Sequence, residues 1–194
     1  MLLTYNELRE LVDGGLIADP ASATVNKFAE DEKGNRINGA SIDLCLGEEF
    51  FFEAQPSLNA PPPVVDLEQK RTPKMRLSSG LAYLRPKQFC LAATVEQFNM
   101  PFDVAGHYML KSSLARSGLN HLFAGFADPG WHGSVLTLEL VNTLDYHTLL
   151  LRPGMKIGQM VFWKGSSPVP FEHSYAARGQ YNKSESVQQS KGVR

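Results

Sequence analysis

The feature that most constrains the fold is a succession of short β-type segments. Runs rich in Val, Ile, Leu, Phe and Thr recur along the chain, and Pro, Gly, Asn and Asp separate them. Such a pattern favours an antiparallel barrel or jelly roll over a parallel sheet with crossover helices. The predicted strand segments are residues 41–46, 49–53, 80–84, 89–95, 105–110, 119–126, 134–141, 148–151 and 157–163.

One helix is predicted near the start of the chain. Thr4 and Glu7 have the spacing of a capping box, in which side chains accept hydrogen bonds from free N–H groups at the helix start. Apolar residues then recur at helical spacing until the Gly14-Gly15 pair. The sequence therefore predicts an amphipathic helix over residues 5–13 that covers the core.

Length and charge limit the classes of protein to which the chain can belong. Its 194 residues suffice for one core, and we predict a body over residues 1–172 and a polar tail or lid over 173–194. The formal net charge of −1 argues against a broad surface for nucleic acid. No apolar run approaches the roughly 18 residues that span a bilayer, and the start of the chain lacks a basic region. We therefore expect a cytoplasmic protein with neither a membrane nor a nucleic-acid partner.

Cys45 and Cys90 lie in separate β-type segments and are the two cysteines of the chain. Isolated cysteines in a chain without a secretion signal are more often free thiols than disulfide partners. We therefore predict two free thiols.

Residues 111–119 read Lys-Ser-Ser-Leu-Ala-Arg-Ser-Gly-Leu and form a candidate anion site. Ser112 or Ser113 is predicted to cap a short helix whose free N–H groups suit a phosphate. Arg116, one turn later, adds a planar set of donors, and Gly118 ends the turn. An ordinary helix cap with one exposed Arg is the alternative interpretation of the same spacing.

A single carboxylate interrupts the apolar run that follows the turn at Asp128-Pro-Gly. Side chains alternate across a strand, so Glu139 shares a face with Thr137, whereas Leu138 points to the other face. We expect Glu139 to point into an enclosed space, where a carboxyl group can act as general acid and base. A Glu that reaches solvent at a strand end, or that forms a simple salt bridge with Arg116, is the alternative.

These motifs resemble those of the dCTP deaminases, a branch of the trimeric dUTPase superfamily that removes the 4-amino group of dCTP without zinc. The resemblance rests on S-S-L-A-R-S-G-L, A-G-F-A-D-P-G-W-x-G, T-L-E-L-x-N and R-P-G-M-K-I-G-Q in this order, on residues 37–47, and on a tail that contains Tyr. It covers most of the chain. It implies a dUTPase-like distorted β-barrel or jelly roll, and a homotrimer with active sites at subunit junctions. It also implies dCTP or a related deoxycytidine nucleotide as substrate, and a tail that closes over the nucleotide.

The resemblance further implies roles for individual residues. Glu139, Ser112 and Arg116 are the implied catalytic residues, with Glu139 as the acid/base and with Ser112 and the backbone around Ala124 positioning the water. The resemblance also implies that the protein itself holds no metal and that Mg²⁺ accompanies the triphosphate. The implied substrate-binding residues are Lys111, Ser112, Ser113, Arg116, Ala124, Asp128, Thr137, Gln159, Tyr175 and Gln180.

A zinc mechanism is not expected from this sequence. Zinc-dependent deaminases use H-x-E and P-C-x-x-C motifs, and this chain has neither. His107, His121 and His132 lie in the β region without another histidine two or four residues away, and we interpret them as hydrogen-bonded or surface groups.

Two departures from the family pattern bear on the product and on phosphate binding. Gly125 and Phe126 follow Ala124 where many deaminases have a basic or aromatic pair, and this resembles the bifunctional enzymes that form dUMP and pyrophosphate. Gln180 and Ser184 stand where the family usually has Lys and Gln in contact with phosphate. We predict a deaminase that forms dUTP and ammonia; a bifunctional dCTP deaminase/dUTPase, a pure dUTPase and a non-catalytic nucleotide-binding jelly-roll protein are the alternatives.

Overall fold

The computed structural model describes residues 1–18, 36–55, 61, 63–67 and 73–192, and the fold is mainly β. The helical segments are α1 (Tyr5–Asp13), α2 (Ser112–Arg116), a 3₁₀ turn (Phe171–His173) and α3 (Tyr175–Arg178). The strands are β1 (Ile17–Ala18), β2 (Ile42–Cys45), β3 (Glu49–Glu53), β4 (Met75–Ser79), β5 (Ala82–Leu84), β6 (Phe89–Asn99), β7 (Val104–Leu110), β8 (Leu119–His121), β9 (Phe126–Ala127), β10 (His132–Asn142), β11 (Leu149–Leu151) and β12 (Lys156–Lys164). The predicted fold class, mainly β with a short N-terminal helix, is confirmed.

The strands form three antiparallel sheets around one core. The largest has the order β4-β3-β6-β10-β8, with β1 added beside β6. The second has the order β2-β12-β7-β9, and β11 and β5 form a separate pair. Buried side chains from all three sheets and from α1 belong to one hydrophobic cluster. The molecule therefore has the antiparallel layered architecture that the short β-type segments predict.

Helix α1 has the bounds and the cap that the sequence predicts. The Thr4 N–H donates to Glu7 Oε2 at 2.7 Å, as in a capping box. Leu8 and Val12 are fully buried against the core. The chain then reverses at Gly15, where φ is +90°, a backbone conformation that glycine adopts without steric cost.

Two strand predictions require correction. The segment 119–126 is not one strand, because Phe123 has a φ of +61° and interrupts the extended backbone between β8 and β9. Strand β6 continues beyond residue 95 to Asn99, since its far end pairs with β1 and β10. The sequence pattern does not predict β4, which is an exposed edge strand held by its pairing with β3.

Strand β10 forms the boundary between the core and the candidate site. Leu138, Leu140 and Asn142 on one face are fully buried. The register places Glu139 opposite Leu91 of β6 on the other face. Alternation along the strand therefore holds from residue 136 to residue 142, as predicted.

Both cysteines are free thiols, as predicted. Burial raises the pKa of Cys90 to about 12 and that of the half-buried Cys45 to about 11. No helix among the described residues is long and apolar enough to cross a membrane.

Candidate active site

A cavity of about 480 Å³ lies against the outer face of β6 and β10. Its walls are mostly aliphatic and aromatic, and polar groups are concentrated near Glu139 and along the tail. Five of the predicted site residues line it: Ala124, Asp128, Thr137, Glu139 and Tyr175. A concave, mostly apolar surface with convergent polar groups is the usual form of a small-molecule site.

The Glu139 side chain is 26% exposed, yet its Oε2 atom is buried. The exposed fraction therefore belongs to the rest of the side chain, which faces the cavity. Leu91 and Phe89 of β6 stand beside it in the cavity wall. No ion pair joins Glu139 to Arg116, so the structure does not support the simple salt bridge.

The turn at Asp128 has the geometry that the sequence predicts. The Trp131 N–H donates to the Asp128 carbonyl oxygen at 3.2 Å, and Gly130 has a φ of +83°. Partial desolvation at the cavity rim raises the pKa of the Asp128 carboxyl group above its ordinary value. The turn places this carboxyl group in the wall of the cavity.

The tail packs along β10 and forms one side of the cavity. The Trp131 Nε1–H and the Ser134 hydroxyl both donate to the carbonyl oxygen of Tyr181, at 3.0 and 2.7 Å. The Val135 N–H donates to the carbonyl oxygen of Ser184 at 2.9 Å, so the backbone of the tail pairs locally with the strand. Val187 is buried in a small apolar cluster on the outer face of the sheet.

A second cavity of about 310 Å³ adjoins the first. Tyr175 lines both cavities, and Gln180 lines only the second. Asp128 lines both cavities, and Arg178 contributes a positive charge to the second. Burial raises the pKa of the Tyr175 hydroxyl group. The Tyr175 ring packs against Gly179, where a Cβ atom would lie 2.0 Å from the ring.

The predicted anion site lies away from this cavity. Ser112, Ser113 and Arg116 are exposed on α2, which has no buried residue, and none of the three lines either cavity. The predicted serine cap is wrong, because Lys111 is the N-cap residue and the serines occupy the first helical turn. Gly118 follows the helix with a φ of +89° and ends the turn as predicted.

Lys111 and Gln159 belong to a third polar group, around Asp43. The Asp43 carboxylate is 6% exposed and pairs with Lys111 at 2.5 Å and with Lys156 at 3.6 Å. Gln159 lies opposite Asp43 in the β12–β2 register and accepts a hydrogen bond from Ser41. The fold thus distributes the predicted site residues among two adjoining cavities, an exposed helix and a charge cluster around the buried Asp43.

The sequence did not predict three contacts at the cavity, which are made by His121, Trp131 and Ser134. His121 Nε2 lies 3.3 Å from Glu139 Oε2, and its side chain is 4% exposed. Trp131 and Ser134 hold the tail by its backbone. The Trp-x-x-Ser spacing after the turn is visible in the sequence, but the contact of His121 with Glu139 depends on strand pairing and has no local signal. No group of three or more His, Cys, Asp or Glu among the described residues has the arrangement of a metal site.

Comparison with known proteins gives a consistent family relationship. A family model described as dCTP deaminase-like matches residues 4–165. The chain is 33% identical over 189 residues to a protein of Corynebacterium efficiens named "dCTP deaminase, dUMP-forming", covering 92% of this chain and 87% of that protein. A protein of Methanopyrus kandleri with the same name is 35% identical, covering 94% of this chain and 91% of the relative. A "dCTP deaminase" of Shewanella amazonensis is 32% identical, covering 93% and 92%.

A solved structure supports the fold independently. The crystal structure of 2'-deoxycytidine 5'-triphosphate deaminase from Agrobacterium tumefaciens superposes with a TM-score of 0.60 at 19% identity. The match covers 84% of this chain and 48% of the other, so the chain spans about half the length of that protein. At this identity the likeness concerns the fold.

Proposed function

The chain belongs to the dCTP deaminase-like family, and we propose that it hydrolyses the 4-amino group of dCTP, with Glu139 as the general acid and base. The observation that carries the proposal is the position of Glu139, which lines a partly open and mostly apolar cavity. Its neighbours in the wall include Asp128 and Tyr175, which are polar groups suited to a nucleoside. The names of the curated relatives support dCTP as the substrate.

Deamination of cytosine requires proton transfers that one carboxylate can perform. Glu139 takes a proton from water as the oxygen attacks C4, and N3 receives that proton. The hydroxyl proton of the tetrahedral intermediate then passes through the same carboxyl group to the amino nitrogen. The C4–N4 bond breaks, ammonia leaves, and a carbonyl group forms at C4. Because the carboxyl group returns to its starting state, it needs no second acid.

The exposed groups of α2 lead to a proposal about assembly. Ser112, Ser113 and Arg116 resemble substrate-contacting residues of the family, but they do not line the cavities of their own subunit. We propose a homotrimer in which α2 of one subunit completes the cavity of its neighbour, so that Ser112 and Arg116 position the water and the nucleotide. The exposed side chains of Leu122, Phe123 and Phe126 support a contact surface in this region.

Mg²⁺ enters this reaction as part of the substrate. A triphosphate binds Mg²⁺ through its own oxygens and carries it into the site. The proposed proton transfers use Glu139 and water, and zinc has no part in them. Gln180, Arg178 and Tyr175 are the tail residues proposed to approach the phosphates, since they line the second cavity.

A second candidate is a bifunctional enzyme that also cleaves the triphosphate and forms dUMP and pyrophosphate. The names of the Corynebacterium efficiens and Methanopyrus kandleri relatives favour it. The Ala124-Gly125-Phe126 sequence favours it too. Asp128 lines both cavities and is a candidate to orient the water that attacks phosphorus.

Product analysis distinguishes the two candidates. The protein is incubated with dCTP, dCMP or dUTP in the presence of Mg²⁺, and nucleotides, ammonia and pyrophosphate are measured. Equal amounts of dUTP and ammonia from dCTP support the deaminase alone. Stoichiometric dUMP and pyrophosphate support the bifunctional enzyme. Binding of dCTP without any ammonia release would refute both.

Mixed assemblies test whether α2 of one subunit completes the cavity of its neighbour. Arg116→Ala and Glu139→Gln subunits are co-expressed with different tags, and hetero-oligomers are purified through both tags. If α2 acts on the neighbouring cavity of a trimer, about one junction in three of the purified hetero-oligomers combines an intact Glu139 with an intact Arg116. Activity of the mixture well above either pure variant supports the junction. Activity no higher than the average of the pure variants contradicts it.

A further inference from the structure

Glu139 has a buried neighbour on the side away from the cavity. Its Oε2 atom lies 3.3 Å from His121 Nε2. Both atoms are buried, and neither has a hydrogen-bond partner among the described residues. Buried polar atoms rarely remain without partners, because each lost hydrogen bond costs stability. A hydrogen bond between these two atoms would satisfy both of them.

His121 itself does not line the cavity. It ends β8, opposite Leu140 in the register with β10, which brings it next to the strand that carries Glu139. Its ring meets the ring of Tyr108 edge-on, with centroids 4.7 Å apart and an interplanar angle of 64°. His121 therefore has one rigid contact on the core side and one polar contact on the catalytic side.

Tyr108 is fixed from two other directions. A Cβ atom at Gly158 would lie 2.1 Å from the Tyr108 ring, and one at Gly125 would lie 2.7 Å from its Cβ atom. Only glycine fits at these contacts without displacing the ring. Tyr108 is 2% exposed, so the ring has little space in which to move. The packing explains why two glycines of the sequence motifs stand close to the site without touching the cavity.

From these contacts we infer that His121 is a positioning residue for Glu139. In this inference, which rests on the proposed function, His121 Nε2–H donates to Glu139 Oε2 and holds that oxygen on the protein side. The other carboxylate oxygen is then directed to the cavity, where it exchanges protons with water and the base. Tyr108, seated on Gly125 and Gly158, prevents the imidazole ring from turning away. His121 acts through Glu139 and does not touch the nucleotide.

The consequence is a separation between rate and binding. A loosely held carboxylate spends less time in the reactive geometry, which lowers kcat because alignment of reacting groups lowers the barrier. The nucleotide contacts in the cavity are unaffected, so the KM for dCTP should change little. A side chain that merely filled the core would instead change stability and leave kcat per folded subunit unchanged.

The test compares His121→Leu, which removes the donor, with His121→Gln, whose amide N–H₂ reaches about as far as Nε2. We expect kcat for dCTP deamination to fall by about tenfold or more in His121→Leu with KM within about twofold, and His121→Gln to recover most of the loss. His121→Asn is one methylene shorter and should recover less than Gln. The exposed His147, in the loop after β10, provides the matched control, because His147→Leu removes an imidazole outside the site.

The measurements distinguish a positioning role of His121 from a purely structural one. Thermal unfolding and oligomeric state are measured for each variant, and rates are compared per folded subunit. An unchanged kcat in His121→Leu, or equal losses in the Leu and Gln variants, would overturn the positioning role while leaving the deaminase intact. If His121→Leu does not fold, the ranking of Gln above Asn decides, and equal rates overturn the role. Absence of ammonia release by the wild-type protein would remove the proposed function and this inference together.

Discussion

The cavity around Glu139 and the surface of α2 come from neighbouring stretches of sequence but have opposite environments. The cavity has a buried carboxylate oxygen, aliphatic walls and a covering tail. Helix α2 has no buried residue and presents Ser112, Ser113 and Arg116 outward. Residues that are close in sequence can therefore lie in opposite environments. The proposed proton-transfer group thus lies inside the fold, whereas the proposed anion-binding groups lie on its surface, and the proposed trimer is what would bring them together.

The strongest challenge to this comparison is Glu139→Gln, which keeps the side-chain shape but cannot transfer protons. We expect ammonia release from dCTP to fall by at least about 100-fold, with nucleotide binding largely retained. Single-turnover kinetics and equilibrium binding of dCTP measure the two effects. Substantial residual deamination would show that the cavity does not contain the acid/base.

Removal of the tail changes the cavity but leaves α2 intact. Truncation after His173 deletes Tyr175, Tyr181 and Val187, which line the cavity or cover the outer face of the sheet. We expect a folded protein whose turnover falls by roughly 30-fold or more, because the site is open to water and has lost polar contacts. Turnover, thermal unfolding and gel filtration are measured on the same preparation.

Limited proteolysis complements the truncation. Cleavage within residues 180–192 should slow when dCTP and Mg²⁺ are added, since a bound nucleotide favours the closed tail. Full turnover by the truncated protein, or identical cleavage rates with and without nucleotide, would argue that the tail has no part in the site.

Arg116→Ala tests whether the exposed surface of α2 takes part in nucleotide binding. Loss of a charge-assisted donor set should raise the KM for dCTP by about tenfold, with a smaller effect on stability because the residue is exposed. Arg85→Ala removes an exposed arginine from a turn outside the site and is the matched control. Unchanged kinetics in Arg116→Ala would leave α2 as an ordinary surface helix.

A finer change within the tail is Gly179→Ala. The added Cβ atom would lie 2.0 Å from the Tyr175 ring, so the ring or the tail must move. We expect the KM for dCTP to rise by about threefold to fivefold with little change in thermal unfolding. At Gly165 the nearest atom to an added Cβ lies at 3.4 Å, an ordinary contact, so Gly165→Ala should be neutral. Equal changes of KM in the two variants would show that the position of Tyr175 does not affect nucleotide binding.

The smallest expected effect is that of a zinc-selective chelator. Phenanthroline should leave activity unchanged, because the proposed reaction uses no zinc. Excess EDTA, used as the positive control, should lower activity by removing Mg²⁺ from the triphosphate. Inhibition by phenanthroline that is reversed by added zinc would contradict the metal-free proton transfer.

The sequence predicts those parts of the fold that local interactions specify. The bounds of α1 follow from the capping box and the glycine pair, and the turn at Asp128 follows from its Asp-Pro-Gly residues. The alternation of β10 places Glu139 and Leu138 on opposite faces. In contrast, β4 depends on pairing with β3, and the break at Phe123 depends on a backbone conformation that a Phe side chain does not signal.

The sequence supplies a candidate set of site residues but not their relative positions. Motif resemblance identified Glu139 and Arg116, whereas the distances between elements decide that one lines a cavity and the other is exposed. His121 lies near Glu139 only because β8 pairs with β10. Such contacts arise from the register of strands that are distant in sequence, and no local pattern encodes them.

The chemistry of the two cysteines offers a practical means of observing the tail. Thiolates, not thiols, react with maleimide labels, and the raised pKa values of Cys45, about 11, and Cys90, about 12, keep both side chains protonated near neutral pH. Ser186 is exposed in the tail, and a cysteine introduced there would react far faster than either native residue. The wild-type chain is therefore a nearly silent background for fluorophores and spin labels. A single probe on the tail can therefore test whether the tail moves when nucleotide is added, without prior removal of native cysteines.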